Sequence, residues 1–410
     1  MSNPPPDRTD PLASLEAQHG EAEEPGFLSR QLITCLGNKR ALLGPIAAAM
    51  EEICARLGGR AQLTVLDAFA GSGVVSRYLK RYSSHLVSND LEQYAEAIGK
   101  CFLSNRSDVH LQELAESIEE LNRSVLVQSD APGFFERLYA PIDDDAIRDG
   151  DRVFYTRENA QRLDRYRSMI DGLPVRDRAL LLGPLLAEAS VHANTAGVFK
   201  GFYKDRSTGL GAFGGTGRDA ISRIRGPITL RPPVLSRFEC DVEVRRSDVN
   251  VLATEATHFD VAYLDPPYNQ HPYGSNYFML NLLTTYEEPA ALSPVSGIPA
   301  NWNRSKYNVR SQSFGALARL IDDLDATFIL LAYNDEGFIT PDEVRDLLIA
   351  HGRLSEAQTK YNAFRGSRNL AGRARHVTEH LFILEKSDRR SGGRSSRELV
   401  ACNRAMPPTE

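Results

Sequence analysis

Apolar and polar positions divide the chain into stretches of different period. Residues 1–25 are rich in Pro, Asp and Glu and carry no apolar periodicity, which predicts a disordered tail. From 28 to 104, short apolar runs alternate with helical patterns. A glycine turn at Leu36-Gly37-Asn38 precedes an amphipathic helix that runs through Ile46 toward Ile53. Thr64-Val65-Leu66 predicts a short strand, which enters a small-residue turn and then a helical pattern over 74–79. Leu86-Val87-Ser88 predicts a second strand. Between 105 and 237 the pattern changes. Residues 111–126 predict an amphipathic helix, 143–145 an acidic loop, and 158–169 and 176–191 two more helices, the second more buried. From 238 to 386 the strand signal returns, at 242–244, 261–264, 327–333 and 379–385. Beyond about 387, Ser, Gly and Arg predict a second disordered tail. Strands alternating with helices predict an α/β fold of two segments, 26–104 and 238–386, interrupted by a mainly helical insertion, 105–237. No internal repeat is present.

Two strand ends carry candidate chemistry. The run Val261-Ala262-Tyr263-Leu264 leads into Asp265-Pro266-Pro267-Tyr268. Each proline pushes the residue before it out of helical space, so the pair stiffens the exit from the strand. A carboxylate, carbonyls and an aromatic face are thereby presented together, a site for an exocyclic amine on a flat ring. Asp265 and the Pro266 carbonyl can accept the two amine hydrogens, and Tyr268 can stack on the ring. Far upstream, Asp67-Ala68-Phe69-Ala70-Gly71-Ser72-Gly73 joins a strand to a helix. Glycines permit close backbone approach, and the helix start offers unpaired N–H groups. Ser76 stands where the third glycine of a dinucleotide fingerprint would be, so this is a cofactor loop of another kind. Asp90, about 20 positions further on, is placed to bind ribose hydroxyls, and Leu91 to pack on an adenine ring. Asn38 and Lys39, at a helix start, can reach a carboxylate.

In this order, Gly37-Asn38-Lys39, Phe69-Ala70-Gly71-Ser72-Gly73, Asp90 and Asp265-Pro266-Pro267-Tyr268 resemble the adenine-specific DNA methyltransferases of the DNA adenine methylase type. Asp248-Val249 resembles that family's acidic-plus-apolar pair, although members often carry Phe at the second position. Segments 269–281, 332–337 and 364–370 add to the likeness, the last resembling a restriction–modification subset. The resemblance implies S-adenosylmethionine as methyl donor, adenine in double-stranded DNA as acceptor, and a Rossmann-like, mostly parallel seven-stranded sheet with helices on both faces. Gly37, Asn38 and Lys39 would hold the methionine end of the donor. Asp67, Phe69, Gly71, Ser72 and Gly73 would form its loop, Asp90 would bind its ribose, and Asp248 and Val249 would meet its adenine. Asp265, Pro266 and Tyr268 would hold the target base, with Pro267 stiffening the turn. The insertion would be the target-recognition module.

Charge and composition narrow the picture. The 410 residues exceed one catalytic sheet, which fits an insertion. A net charge of −6 disfavours a nonspecific DNA-coating protein, but the basic residues are concentrated locally. Lys200, Lys204, Arg206, Arg218, Arg223 and Arg225 share a glycine-rich stretch with Phe199, Phe202, Tyr203 and Phe213, a composition suited to phosphate contact. Arg365 and Arg368 belong to a second cluster expected to face the DNA backbone. Five scattered cysteines and nine histidines show no metal-ligand spacing, so no metal is expected. The chain has no stretch approaching a membrane span and no signal-peptide pattern, so a cytoplasmic protein is expected. A cognate restriction endonuclease, acting independently, would be the protein partner. N4-cytosine methylation is the nearest alternative, and a DNA-binding protein that has lost catalysis the next. Cytosine C5 methylation is disfavoured because no Pro-Cys pair occurs.

Overall fold

The computed structural model describes residues 23–35, 37, 39–127, 131–218, 220–362 and 376–387. Asn38, Arg365 and Arg368 lie outside these residues, as do most of both expected tails. The strands are β1 (Leu63–Asp67), β2 (Ser83–Asp90), β3 (Asp241–Arg246), β4 (Phe259–Leu264), β5 (Ala326–Asn334), β6 (Gly352–Asn362) and β7 (His376–Lys386). They form one seven-stranded sheet in the order β3-β2-β1-β4-β5-β7-β6. The neighbours from β3 to β5 pair in parallel, and β7 runs antiparallel between β5 and β6. The sheet is mostly parallel, as expected. β6 is the strand that the apolar pattern did not announce.

Period-2 alternation in β4 explains how two layers of helices attach to one strand. All six β4 residues are buried. Val261 and Tyr263 point to the core shared with the helix Leu43–Arg56 and with Val74, Val75 and Tyr78. Ala262 and Leu264 point to the opposite core, shared with the helices Arg310–Asp323 and Pro341–Ile349. The strand order reverses between β1 and β4, so the crevice at their C-terminal ends is where a ligand site is expected in such a sheet. Both candidate motifs sit there.

The insertion encloses only a small core of its own, Val153, Phe213 and Ile224, and shares the rest. Its helices Leu111–Ser124, Arg157–Asp171 and Val175–Val191 share one apolar cluster with the helices Gln93–Phe102 and Phe278–Thr285. The joint is tight at Gly183, where a Cβ would lie 2.6 Å from Cys101 Cβ and 2.8 Å from Phe102 Cε2. Next to it, Pro184 sits inside the helix and has no N–H to give the carbonyl of Leu180. The thiol of Cys101 donates to that carbonyl at 3.3 Å, so the partner helix completes what proline leaves open.

Candidate active site

The loop after β1 is fixed from below and from one side. Gly71 and Gly73 have φ of +54° and +73°, a region that L side chains rarely occupy. The Gly71 amide donates to Asp90 Oδ2 at 2.8 Å, and Glu92 N donates to Asp90 Oδ1 at 2.9 Å. The carboxylate at the end of β2 therefore shapes the loop as well as facing the cleft. Beneath it, Ser76 Oγ donates to Asp67 Oδ2 at 2.5 Å and lies 2.9 Å from Ser88 Oγ. That contact accounts for serine in place of the third fingerprint glycine: its hydroxyl ties the loop's first residue to β2. Burial pushes the Asp67 carboxyl up to about 7, against the pull of the Ser76 hydrogen bond. Asp90 is likewise raised by burial, its backbone hydrogen bonds opposing.

Asp265 leaves the end of β4 on the same face as Tyr263. Its Oδ1 lies 3.1 Å from Lys39 Nζ, and the same ammonium pairs with Glu379 on β7. Lys39 occupies a short 3-10 turn, Lys39–Leu42, and is buried. Burial works against its charge, but Asp265 and Glu379 hold it protonated above the usual lysine range. The carboxylate that Lys39 reaches is thus supplied by the chain itself. Burial raises Asp265 to about 6, with Lys39 opposing and Glu379 reinforcing the rise. Tyr268 packs edge-on against Tyr333, ring centroids 6.2 Å apart, and its carbonyl accepts from Phe338 N at 2.8 Å. Pro266 is buried, and Pro267 lines the cleft.

The two strand ends open into one cleft with about 990 Å³ of empty space, including the part open to solvent. Gly37, Lys39, Phe69, Gly71, Ser72, Asp90, Leu91, Asp248, Val249, Asp265 and Pro267 all line it. Asp67 and Gly73 support the loop from behind. Asp248 caps the short helix Val249–Leu252 by accepting from Asn250 N, and it lies 3.7 Å from Lys306. The cleft also has a wall that the sequence reading missed, formed by residues 303–308. Asn303 Nδ2 lies 2.9–3.1 Å from Leu91 O, Glu92 Oε2 and Gln93 Oε1. Tyr307 meets Phe69 edge-on at 5.2 Å and donates to Asn250 Oδ1. Asn308 donates to Asn269 O at 2.7 Å, just past the tetrapeptide. This strap spans the cleft from one motif to the other.

The basic stretch of the insertion forms a hydrogen-bonded loop whose root touches the site. Phe199 N donates to Asn276 O at 2.7 Å, in the short helix that follows the tetrapeptide. The buried Asn194 side chain holds the loop through Val153 O, Ala212 O and Gly214 N. Lys200, Lys204, Arg206 and Arg218 are exposed on it. Arg223 is placed otherwise: its guanidinium donates to the carbonyls of Val191 and Ala193, so it braces the loop and does not extend from it. Arg225 lies over the Phe213 ring and pairs with Asp145 at 3.4 Å. Among the described residues no cluster of His, Cys, Asp and Glu is arranged to hold a metal.

Comparison with known proteins bears on this geometry. A family model described as D12 class N6 adenine-specific DNA methyltransferase matches residues 36–347. The chain is 28% identical over 332 residues to the Type II methyltransferase M.NlaIII of Neisseria lactamica, across 78% of this chain and 90% of that protein. It is 26% identical over 326 residues to the Type II methyltransferase M.CviAII of Paramecium bursaria Chlorella virus 1, across 78% and 89% of the two chains. Modification methylase StsI of Streptococcus sanguinis is 24% identical over 366 residues, which cover 86% of this chain and 51% of that protein.

Proposed function

The chain belongs to the D12 class of N6 adenine-specific DNA methyltransferases, and from that premise we propose that it draws its methyl group from S-adenosylmethionine and places it on an adenine flipped out of double-stranded DNA. The observation that carries the reading is the meeting of the Asp67–Gly73 loop and the Asp265–Tyr268 turn in one cleft at the point where the strand order reverses.

The cleft suits a cationic nucleoside. Asp90, Glu92, Asp248 and Asp265 line it and outnumber the cations there, Lys39, Arg304 and Lys306, the first of which is already held by two carboxylates. Tyr263 contributes a buried hydroxyl to the wall that has no hydrogen-bond partner among the described residues, a polar atom left for a ligand. S-adenosylmethionine, when bound, supplies a methyl group on a positively charged sulfur, so the transfer needs no covalent enzyme intermediate. Asp90 and Leu91 would bind the ribose and adenine side of the donor, and Asp248 with Val249 its far edge. Lys39, engaged by two carboxylates, serves Asp265 more directly than it serves the donor.

The target amine is a poor nucleophile because its lone pair is delocalised into the ring. Asp265 and the Pro266 carbonyl would accept its two hydrogens and localise the lone pair on nitrogen. With its carboxyl near 6, Asp265 is an ionised acceptor at neutral pH and becomes a worse one as pH falls through that value. Flipping costs a few kcal/mol, and stacking on Tyr268 returns about 1–3 kcal/mol of it. The exposed cations of the insertion loop would contact phosphates. Given the relatives' names, the chain would be the modification half of a restriction–modification system, with a separately acting endonuclease as its counterpart. It would work on chromosomal DNA in the cytoplasm; none of its described helices is long and apolar enough to cross a membrane.

The test is a methylome. Wild type and Asp265→Ala are expressed in a methylation-free bacterial host, and native DNA is read by single-molecule sequencing. The expected result is one short motif with modified adenine in the wild type alone. Modified cytosine would move the reaction to the other exocyclic amine. No modified base, from folded protein that binds S-adenosylmethionine, would overturn the DNA substrate.

A further inference from the structure

The Lys39 ammonium has two carboxylate partners, and only one belongs to the tetrapeptide. Glu379 lies near the start of β7, in register with Asn334 on β5 and Thr359 on β6, and it approaches Nζ more closely than Asp265 does. The Lys39 and Glu379 side chains are 5% and 2% exposed, so water screens little of the interaction. Two acidic side chains share one ammonium in this cluster. A buried Lys–Asp pair alone would be neutral, and its carboxylate would be largely satisfied by the ammonium. The third group changes that.

We propose that Glu379 is a positioning residue for methyl transfer: it anchors Lys39 beside Asp265 and takes up part of the ammonium's charge, leaving Asp265 free to act as an acceptor for the target amine. The proposal rests on Asp265 being that acceptor. Fixing Lys39 from the β7 side also fixes the direction from which it approaches Asp265, at Oδ1. Oδ2 is then the oxygen available to the base.

The other titratable groups facing Asp265 do not substitute for Glu379. Asp67 from β1, Tyr263 from β4, Tyr268 from the same turn, Tyr273 from the following helix and Cys35 from the segment before Gly37 all interact with it electrostatically. Burial pushes the thiol and the three phenols up, so they are uncharged at neutral pH. Asp67 titrates near 7, close to Asp265 itself, so the two must be told apart by assignment.

The experiment uses the full-length protein with 13C-labelled aspartate carboxyls, assigned with Asp265→Asn and Asp67→Asn, and titrated by NMR without ligands. Single-turnover methylation is followed across the same pH range. In Glu379→Gln the ammonium belongs to Asp265 alone. The Asp265 midpoint is expected to fall by about one pH unit, the acid limb of methylation to move with it, and the plateau rate to drop. Glu379→Asp keeps the charge and is expected to leave the midpoint in place, which separates charge from shape. An unchanged Asp265 midpoint in Glu379→Gln, an equal shift in both variants, or an unchanged plateau rate would each overturn the proposal. A wild type that methylates no DNA would instead remove the reading it rests on, while the titration still reports on the cluster.

Discussion

Lys39 and Lys204 are both lysines that the sequence offers to an anion, and the molecule uses them in opposite ways. Lys39 is buried between Asp265 and Glu379, its charge already answered. Lys204 is exposed on the insertion loop, its ammonium 5.5 Å from the centre of the Phe202 ring. The difference runs through both regions. In the cleft, polar side chains are set by other buried groups, as Ser76 sets Asp67 and Gly71 sets the direction of Asp90. On the loop, buried polar groups such as Asn194 shape the backbone while Lys200, Lys204, Arg206 and Arg218 stay exposed. Chemistry that depends on a hydrogen bond to one amine needs fixed atoms. Phosphate contact needs charge within reach and tolerates loose geometry.

The sharpest way to break this comparison is to strike each region alone. Asp265→Ala should lower single-turnover methylation by at least about 10²–10³-fold, the loss typical of a preorganised electrostatic group. Donor binding, measured by calorimetry, and DNA binding should largely survive. Near-normal turnover would show that the amine acceptor is elsewhere. The converse is a triple variant, Lys204→Ala with Arg206→Ala and Arg218→Ala. If each cation meets one phosphate, the slope of log affinity against log salt should fall by about 2.7. Donor binding should not change. An unaltered salt slope would place the DNA away from this loop.

What the sequence disclosed follows the same division. Motifs at the ends of β1, β2 and β4 were readable because each depends on residues adjacent in the chain: glycines for positive φ, prolines for a stiff exit, an acid at a strand end. The strap 303–308 was not readable, because Asn303 takes its role from Leu91, Glu92 and Gln93, more than 200 positions away. Glu379 fell within the predicted last strand, but its pairing with Lys39 spans 340 positions and leaves no local signal. β6 was missed because its mixed polar sequence, Gly352–Asn362, has no apolar run; its pairing with β7 makes it a strand. A different omission was legible. Thr340-Pro341-Asp342-Glu343 is a capping box with proline at the helix start, and a helix begins there. Arg223 shows that composition alone misleads: in a basic loop one arginine can serve the backbone.

A variant at the joint tests whether the two regions are separable at all. Gly183→Ala places a methyl 2.6 Å from Cys101 Cβ, where no flexible chain end can yield. Overpacking of this kind costs about 1–3 kcal/mol. Because the helix Val175–Val191 and the helix Gln93–Phe102 share one core, thermal unfolding should remain a single transition at a lower Tm. Two resolved transitions would mean that the insertion folds independently of the catalytic sheet.

The smallest effect is expected at the strap, where the comparison is most finely drawn. Asn303 is half-buried and its amide meets three acceptors around the strand end that carries Asp90. Among the described residues its side chain hydrogen-bonds to neither the tetrapeptide nor the basic loop. Asn303→Ala removes the donor while leaving Glu92 the hydrogen bond from Asn281 Nδ2. Burial raises Glu92 to about 7, with Asp90 adding to the rise and the two asparagines opposing it. Losing one of those asparagines should raise it further, so that at neutral pH more of the side chain is protonated and less negative charge faces the cleft. The net worth of such a hydrogen bond is about 1 kcal/mol, or roughly fivefold in donor Kd. The difference from wild type should be largest just above pH 7, between the two Glu92 midpoints, and small at pH 6, where both proteins are largely protonated at Glu92. The rate at saturating donor should stay within about twofold, because the strap holds the cleft and not the reacting amine. A rate loss at saturation, with donor Kd unchanged, would reassign Asn303 from the wall of the donor site to the positioning of the base.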